Sequence, residues 1–257
     1  MKVKIDNLSK QSILQNISAT FEPGERIALI GVNGAGKTTL LNSLMGLTPV
    51  DAGNIELADI KIGTVFQGNL LDDELTVRQN LSCRLSNSEM KGALRQISEF
   101  GIEPTMPYGQ LSGGQKRIVN YFRATASQPQ LLILDELTAG IDVQFQTQIW
   151  ALIDTYCQEN PQTILLFTTH RLEELAHANK ILFLKHGTIG FYGEKQQFLA
   201  QQPNYKIVLA GHQVIHYTKT AKEAVSYLEK HDLLEAAFEI KAVTYQDLFT
   251  MMERGAD

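Results

Sequence analysis

Apolar residues in this chain come in compact runs of strand length, separated by stretches with helical spacing. "RIALIGV" (26–32), "QLLILDE" (130–136) and "TILLFTTH" (163–170) are nearly continuous in Ile, Leu, Val and Phe, the pattern of strands buried on both faces. "IKIGTVFQ" (60–67) predicts another strand, and "KILFLKHGTIGFYG" (180–193) a hairpin turning at His186–Gly187. Between them, "KTTLLNSLMGL" (37–47) reads as a helix closing near Gly46. Residues 143–158 read as a second helix, and a third runs from about 112 to Ser127, stopped by Pro129. Residues 69–110 are more polar and helix-like, with a capping box at Ser86/Glu89.

Buried strands alternating with helices predict an α/β fold, its sheet covered on both faces. At the start, "KVKIDNLS" and "NISATF" predict short antiparallel strands, followed by a turn at "EPGE" (22–25). Beyond about residue 200 the pattern changes. "YKIVLAG", "QVIHYT" and "AAFEIKAV" predict strands, "TAKEAVSYLEKHD" a helix with a Thr220/Glu223 capping box, and "TYQDLFTMMER" a final helix. The expected organisation is a main domain over 1–200, with a helical subdomain at about 69–128, and a small α+β appendage over 201–257.

Composition narrows the class without naming a function. The chain has 257 residues, 44% of them hydrophobic and 20% charged, ordinary values for a globular protein. Its net charge of -5 and lack of a basic run argue against nonspecific nucleic-acid binding. Two cysteines, Cys83 and Cys157, with no CxxC, make a disulfide framework or structural zinc site a poor expectation and suit a reducing interior. The first twenty residues carry no signal-peptide pattern. No apolar run approaches the roughly 18 residues that span a bilayer, so action at a membrane requires another chain to supply the spanning helices.

The chemistry lies at the strand ends. "GVNGAGKT" fits G-x-x-x-x-G-K-[ST] through Gly31, Gly36, Lys37 and Thr38, after an apolar strand and at the start of a helix. The backbone of Asn33, Gly34, Ala35 and Gly36 can curl around phosphate oxygens, helped by the positive end of the helix dipole, with Thr39 in its first turn. Lys37 supplies a point charge for β- and γ-phosphates, and the Thr38 hydroxyl is placed for Mg²⁺. At the end of "LLILDE", Asp135 is a second Mg²⁺ ligand and Glu136 a group to polarise an attacking water. A chance glycine turn, or a carboxylate pair serving as a cap, explains either feature alone. The two together favour a nucleotide site.

"LSGGQ" (111–115) is a second element with the character of an anion receptor. Ser112 and Gln115 form a capping box, which leaves helix N–H groups free. Gly113 and Gly114 each cost about 1 kcal/mol in a helix relative to alanine. An ordinary helix start explains Ser112 and Gln115 but not the paired glycines; close approach of something bulky and anionic explains both.

"GVNGAGKTT", Gln67, "LSGGQ", "LLILDE" and His170, in this order and spacing, resemble the ATP-binding subunit of ABC transporters over residues 1 to about 200. The resemblance implies a P-loop core with mixed sheet, an antiparallel β subdomain and a short helical subdomain. It implies ATP and Mg²⁺ as ligands, ATP hydrolysis, and a head-to-tail dimer of identical or related ATPases. In that dimer Ser112, Gly113, Gly114 and Gln115 contact a nucleotide held by the partner, and Asp142 in "TAGID" communicates across the interface. It further implies Gln67 as a residue touching Mg²⁺ and signalling to a membrane permease, and His170 as the γ-phosphate sensor. The location implied is the cytoplasmic face of the cell membrane.

Three positions depart from the family pattern. Residues 1–20 contain no aromatic side chain to stack on adenine. Leu137 stands where a proline usually follows the catalytic Glu, and the helical segment 69–110 is short. "ELTVRQNL" (74–81) and the terminal "YQDLFTMMERG" resemble bacterial exporter ATPases for drugs, bacteriocins and sodium; Arg171, where many importers have Asp, votes the same way. An importer ATPase is the nearest alternative. A soluble ABC ATPase of Fe–S assembly or translation is another, though translation proteins join two cassettes on one chain.

Overall fold

In the computed structural model, residues 2–251 are described except 58, 67, 69, 211, 212, 245, 246 and 249. In chain order the first elements are β1 (Val3–Lys10), β2 (Leu14–Phe21), β3 (Arg26–Gly31), α1 (Lys37–Leu44), β4 (Ala52–Glu56) and β5 (Ile62–Val65). The helical subdomain follows as α2 (Val77–Ser82), α3 (Asn87–Ser98) and α4 (Gly113–Thr125). Then come β6 (Leu131–Asp135), α5 (Val143–Glu159), β7 (Ile164–Thr168), β8 (Lys180–Lys185) and β9 (Thr188–Glu194). The last are α6 (Lys195–Gln201), β10 (Tyr205–Leu209), β11 (Gln213–Thr218), α7 (Ala221–Lys230) and β12 (Phe238–Ala242).

Three sheets result. The largest has the order β5-β6-β7-β3-β8-β9, parallel except where β9 turns back on β8 through His186 and Gly187, both at positive φ. This is the mixed α/β sheet expected. A second sheet, β2-β1-β4, is antiparallel; its third strand, "AGNIE", has too little apolar character to stand out in sequence. The appendage sheet is β11-β10-β12, with α7 packed on it through Ala224 and Leu228.

Period-2 alternation sorts the central strands between two cores. Ala28, Ile30, Leu132, Leu134, Leu165 and Phe167 face α2–α5, whereas Ile27, Leu29, Leu131, Ile133, Ile164 and Leu166 face α1 and the antiparallel sheet. Asp135 and Thr168 continue the parity of the second set, so both point to the side where α1 begins. Strand parity thus decides which polar groups meet the glycine loop.

All three capping boxes read from the sequence form, at Ser86/Glu89, Ser112/Gln115 and Thr220/Glu223. A fourth at Thr76/Gln79 starts α2. The expected final helix lies partly outside the described residues; residues 247, 248, 250 and 251 are helical, and Lys206 pairs with Asp247 at 2.7 Å. Leu248 is buried in the main core, which fastens the chain end to the larger sheet.

Candidate functional site

β3 delivers the chain to Gly31, and residues 32–36 turn it into α1. Gly36 sits at the N-cap with φ 100° and no side-chain cap, so it supplies no side-chain acceptor to the N–H groups of the first turn of α1. The left-handed backbone there favours glycine, and a β-carbon would also lie 2.6 Å from Leu14 Cδ2. Asn33 and Gly34 are exposed at the tip and Ala35 is buried beneath it. Thr38 is exposed and Thr39 half-buried, both in the first turn of α1.

Lys37 is 8% exposed and donates to the carbonyls of Gly31 at 2.7 Å and Val32 at 3.2 Å. Burial lowers its pKa, opposed by the fields of Glu136 and Asp135, which places both carboxylates within electrostatic reach of the loop.

The two acids are arranged differently. Asp135 ends β6, is 8% exposed, and accepts a 2.6 Å hydrogen bond on Oδ1 from Thr168. Burial raises its pKa, while the Thr168 bond and the Lys37 charge oppose the rise. Its Oδ2 takes no hydrogen bond from a described residue, so one carboxylate oxygen remains for a ligand. Glu136 has φ 47°, in the left-handed region, and its N–H donates to Thr168 Oγ1 at 2.8 Å. Its Oε1 lies 2.7 Å from His170 Nε2. Asp135, Glu136 and His170 are therefore brought together beside the loop. Thr168, which holds two of them, was not singled out by sequence reasoning. No local signal marks it, because its place opposite Asp135 is set by strand register.

The signature stretch has the expected cap, and one of its two glycines serves packing as well. Ser112 is exposed at the N-cap of α4, its hydroxyl accepting from Gln115 N at 3.2 Å, and Gln115 Oε1 accepting from Ser112 N at 3.0 Å. A β-carbon on Gly113 would meet open space, which suits close approach by a ligand. Gly114 has another reason to be glycine: a β-carbon there would lie 2.7 Å from the ring of Phe145 on α5. Asp142, exposed at the N-cap of α5, accepts from Phe145 N at 2.9 Å, so its side chain orients that helix.

Gln67 lies outside the described residues. Just before it, Arg117 on α4 donates to the carbonyl of Phe66 at 2.9 Å and Arg123 to that of Thr64 at 2.8 Å. The signature helix thus grips the end of β5. At the β1–β2 tip, where no aromatic exists, Ile13 is 38% exposed and its carbonyl would lie 3.2 Å from a β-carbon on Gly36. Among the described residues no helix is long and apolar enough to cross a membrane.

Comparison with known proteins places this geometry. Residues 14–139 match the ABC transporter family. The thiamine import ATP-binding protein ThiQ of Photorhabdus laumondii is 31% identical over 212 residues, covering 74% of this chain and 90% of that protein. This chain belongs to the ATP-binding proteins of ABC transporters. Another member, the Nod factor export ATP-binding protein I of a Rhizobium species, is 35% identical over 195 residues, covering 68% of this chain but only 64% of that longer protein. Solved members share the fold. The cbiO1 protein of Clostridium perfringens, part of the ABC transporter complex cbiONQ, superposes with TM-score 0.67 at 25% identity, covering 77% of this chain and 90% of that one. A dimeric bacterial ABC transporter cassette gives TM-score 0.66 at 25% identity, covering 75% and 98%.

Proposed function

We propose that this chain is the ATP-hydrolysing subunit of an ABC exporter, driving a separate membrane permease by ATP-dependent closure of a dimer. The observation that carries the reading is the convergence of Asp135, Glu136 and His170 on the loop that holds Lys37. The uncapped first turn of α1 receives phosphate oxygens, and Lys37 leaves the Gly31 and Val32 carbonyls for the β- and γ-phosphates. Thr38 and Asp135, with Gln67 by resemblance, would hold Mg²⁺, which neutralises charge on the phosphates. The exposed hydroxyl, the carboxylate oxygen left for a ligand and the hard oxygen donor set fit that ion.

Glu136 orients a water in line with the γ-phosphorus and receives its proton as the bond to the β–γ bridging oxygen breaks, giving ADP and phosphate. His170 holds the Glu136 carboxylate in position and meets the γ-phosphate. Ser112, Gly113, Gly114 and Gln115 complete the site of the opposite subunit, with Asp142 at the same interface. Residues 1–200 form the ATPase domain and 201–257 an appendage to it. The protein works at the inner face of the cell membrane.

Export is favoured by Arg171 and by the exporter-like stretches at 74–81 and 245–255. Relatives include both an exporter and an importer subunit. Glu136→Gln tests the motor. ATP binding should persist while hydrolysis falls about 10²–10⁴-fold, the usual worth of a general base, and an ATP-bound dimer should accumulate. Full turnover in the variant would refute the role. Recovery of the wild-type chain with a detergent-extracted permease supports the transporter reading; recovery only from cytosol with an Fe–S or ribosomal partner overturns it.

A further inference from the structure

Thr168 is the last residue of β7 and 3% exposed. In the parallel ladder it stands opposite Asp135 on one side and Leu29 on the other. It is therefore fixed where β6 and β7 end together, beside β3 two residues before that strand reaches Gly31. Its hydroxyl has one proton to give. The Glu136 N–H can only donate, so the Thr168 oxygen accepts it at 2.8 Å and the single proton goes to Asp135 Oδ1 at 2.6 Å. One side chain thus holds the carboxylate of one acid and the backbone of the next.

Both bonds meet a need visible in the site. Burial disfavours ionised Asp135, and a donor on Oδ1 opposes that while fixing which oxygen stays available. Glu136 occupies the left-handed region, a strained backbone for a residue with a side chain. Leu137 follows it, so no proline ring restrains the turn. The neighbouring Thr169 cannot substitute, because its hydroxyl is engaged with Arg171, accepting from N at 2.8 Å and donating to O at 3.0 Å.

We propose that Thr168 is a positioning residue of the hydrolytic site: its hydroxyl aims the free oxygen of Asp135 at the phosphate loop and holds Glu136 so that its carboxylate meets His170. The proposal rests on the reading of Asp135 and Glu136 given above. It makes the Thr168 hydroxyl, more than its shape, the feature the site requires.

The test uses the full chain with Thr168→Val, which keeps the β-branched shape, and Thr168→Ser, which keeps the hydroxyl. Binding of a fluorescent ATP analogue is titrated in EDTA and against Mg²⁺, alongside steady-state turnover. In EDTA, Thr168→Val should bind like the wild type. Its half-saturating Mg²⁺ concentration should rise and its kcat fall by roughly 10- to 100-fold each, the range for losing a partner of a metal-site ligand. Thr168→Ser should restore both. Should the valine variant fail to fold, Thr168→Ala replaces it with the same expectations. Wild-type Mg²⁺ dependence and turnover in Thr168→Val would overturn the proposal, as would a serine variant as impaired as valine. If the wild type itself shows neither Mg²⁺-linked binding nor turnover, the reading of the whole site falls and the positioning role with it. A normal wild type with an indifferent valine variant removes the positioning role alone.

Discussion

Gly114 on the signature helix and Phe145 on α5 are in contact so close that a β-carbon on the glycine would lie 2.7 Å from the ring. The backbone that carries the ring is held in turn by Asp142, which accepts from the Phe145 N–H. Two stretches far apart in sequence, "LSGGQ" and "TAGID", are thereby joined through one aromatic side chain. Gly114→Ala should destabilise the fold by about 1–3 kcal/mol through overpacking, and Phe145→Ala in the same chain should recover part of that loss. Gly113→Ala meets open space and should instead gain about 0.5–1 kcal/mol of helix stability, while weakening ATP-dependent dimerisation. Chemical denaturation and light scattering with ATP separate the two glycines; equal destabilisation by both would contradict the packing difference.

Ser112→Arg places a long cation at the exposed start of α4 and removes its N-cap. Thermal stability should fall by about 0.5–2 kcal/mol from loss of the cap. Monomers should still bind ATP, because the phosphate loop is untouched. In a Glu136→Gln background the ATP-bound dimer should no longer form. Light scattering reads this directly, and unaltered dimerisation would count against a site shared between subunits.

Asp135 predicts a pH-dependent exchange of stability for function. Burial sets its folded pKa above the unfolded one, so the folded state holds that proton more tightly. Its stabilising contribution is full below the unfolded value of about 3.9 and is lost as pH rises through the folded pKa. Near pH 7 the ionised form is therefore a cost. Asp135→Asn should be more stable than wild type at pH 7, and the advantage should shrink as pH falls through the folded pKa towards the unfolded value. Denaturation curves at several pH values check the slope. A constant difference across the range would refute the assignment.

Ile13 predicts weak grip on the base. It is the exposed apolar residue at the β1–β2 tip beside Gly36, and an aliphatic side chain lacks the stacking term of an aromatic one. Ile13→Tyr should tighten ATP binding by about 2- to 10-fold, the equivalent of 0.5–1.5 kcal/mol of aromatic interaction. Wild-type chain should bind GTP within about tenfold of ATP on the same argument. Competition binding measures both.

Much of this protein is legible in its linear pattern. "GVNGAGKT" dictates a loop between strand and helix because glycine alone tolerates its backbone at Gly36, and "LLILDE" dictates a buried strand ending in acids. The capping boxes at Ser86, Ser112 and Thr220 were readable because they need only residues three apart. The strand β4 was not, since "AGNIE" gains its pairing from β1 rather than from its own apolar content.

What the sequence could not decide were relationships across the sheet. Thr168 and Asp135 are 33 residues apart and meet only because β6 and β7 pair in one particular register. One residue of slip would turn either side chain to the opposite face, since strand side chains alternate. Gly114 read only as space for a ligand, and the packing of Phe145 of α5 against it is a second demand that the sequence does not show. Local sequence determined which groups could do chemistry, because backbone conformation and capping depend on near neighbours. Tertiary structure decided which of them act together, because strand register and helix packing are set by the burial of the two cores.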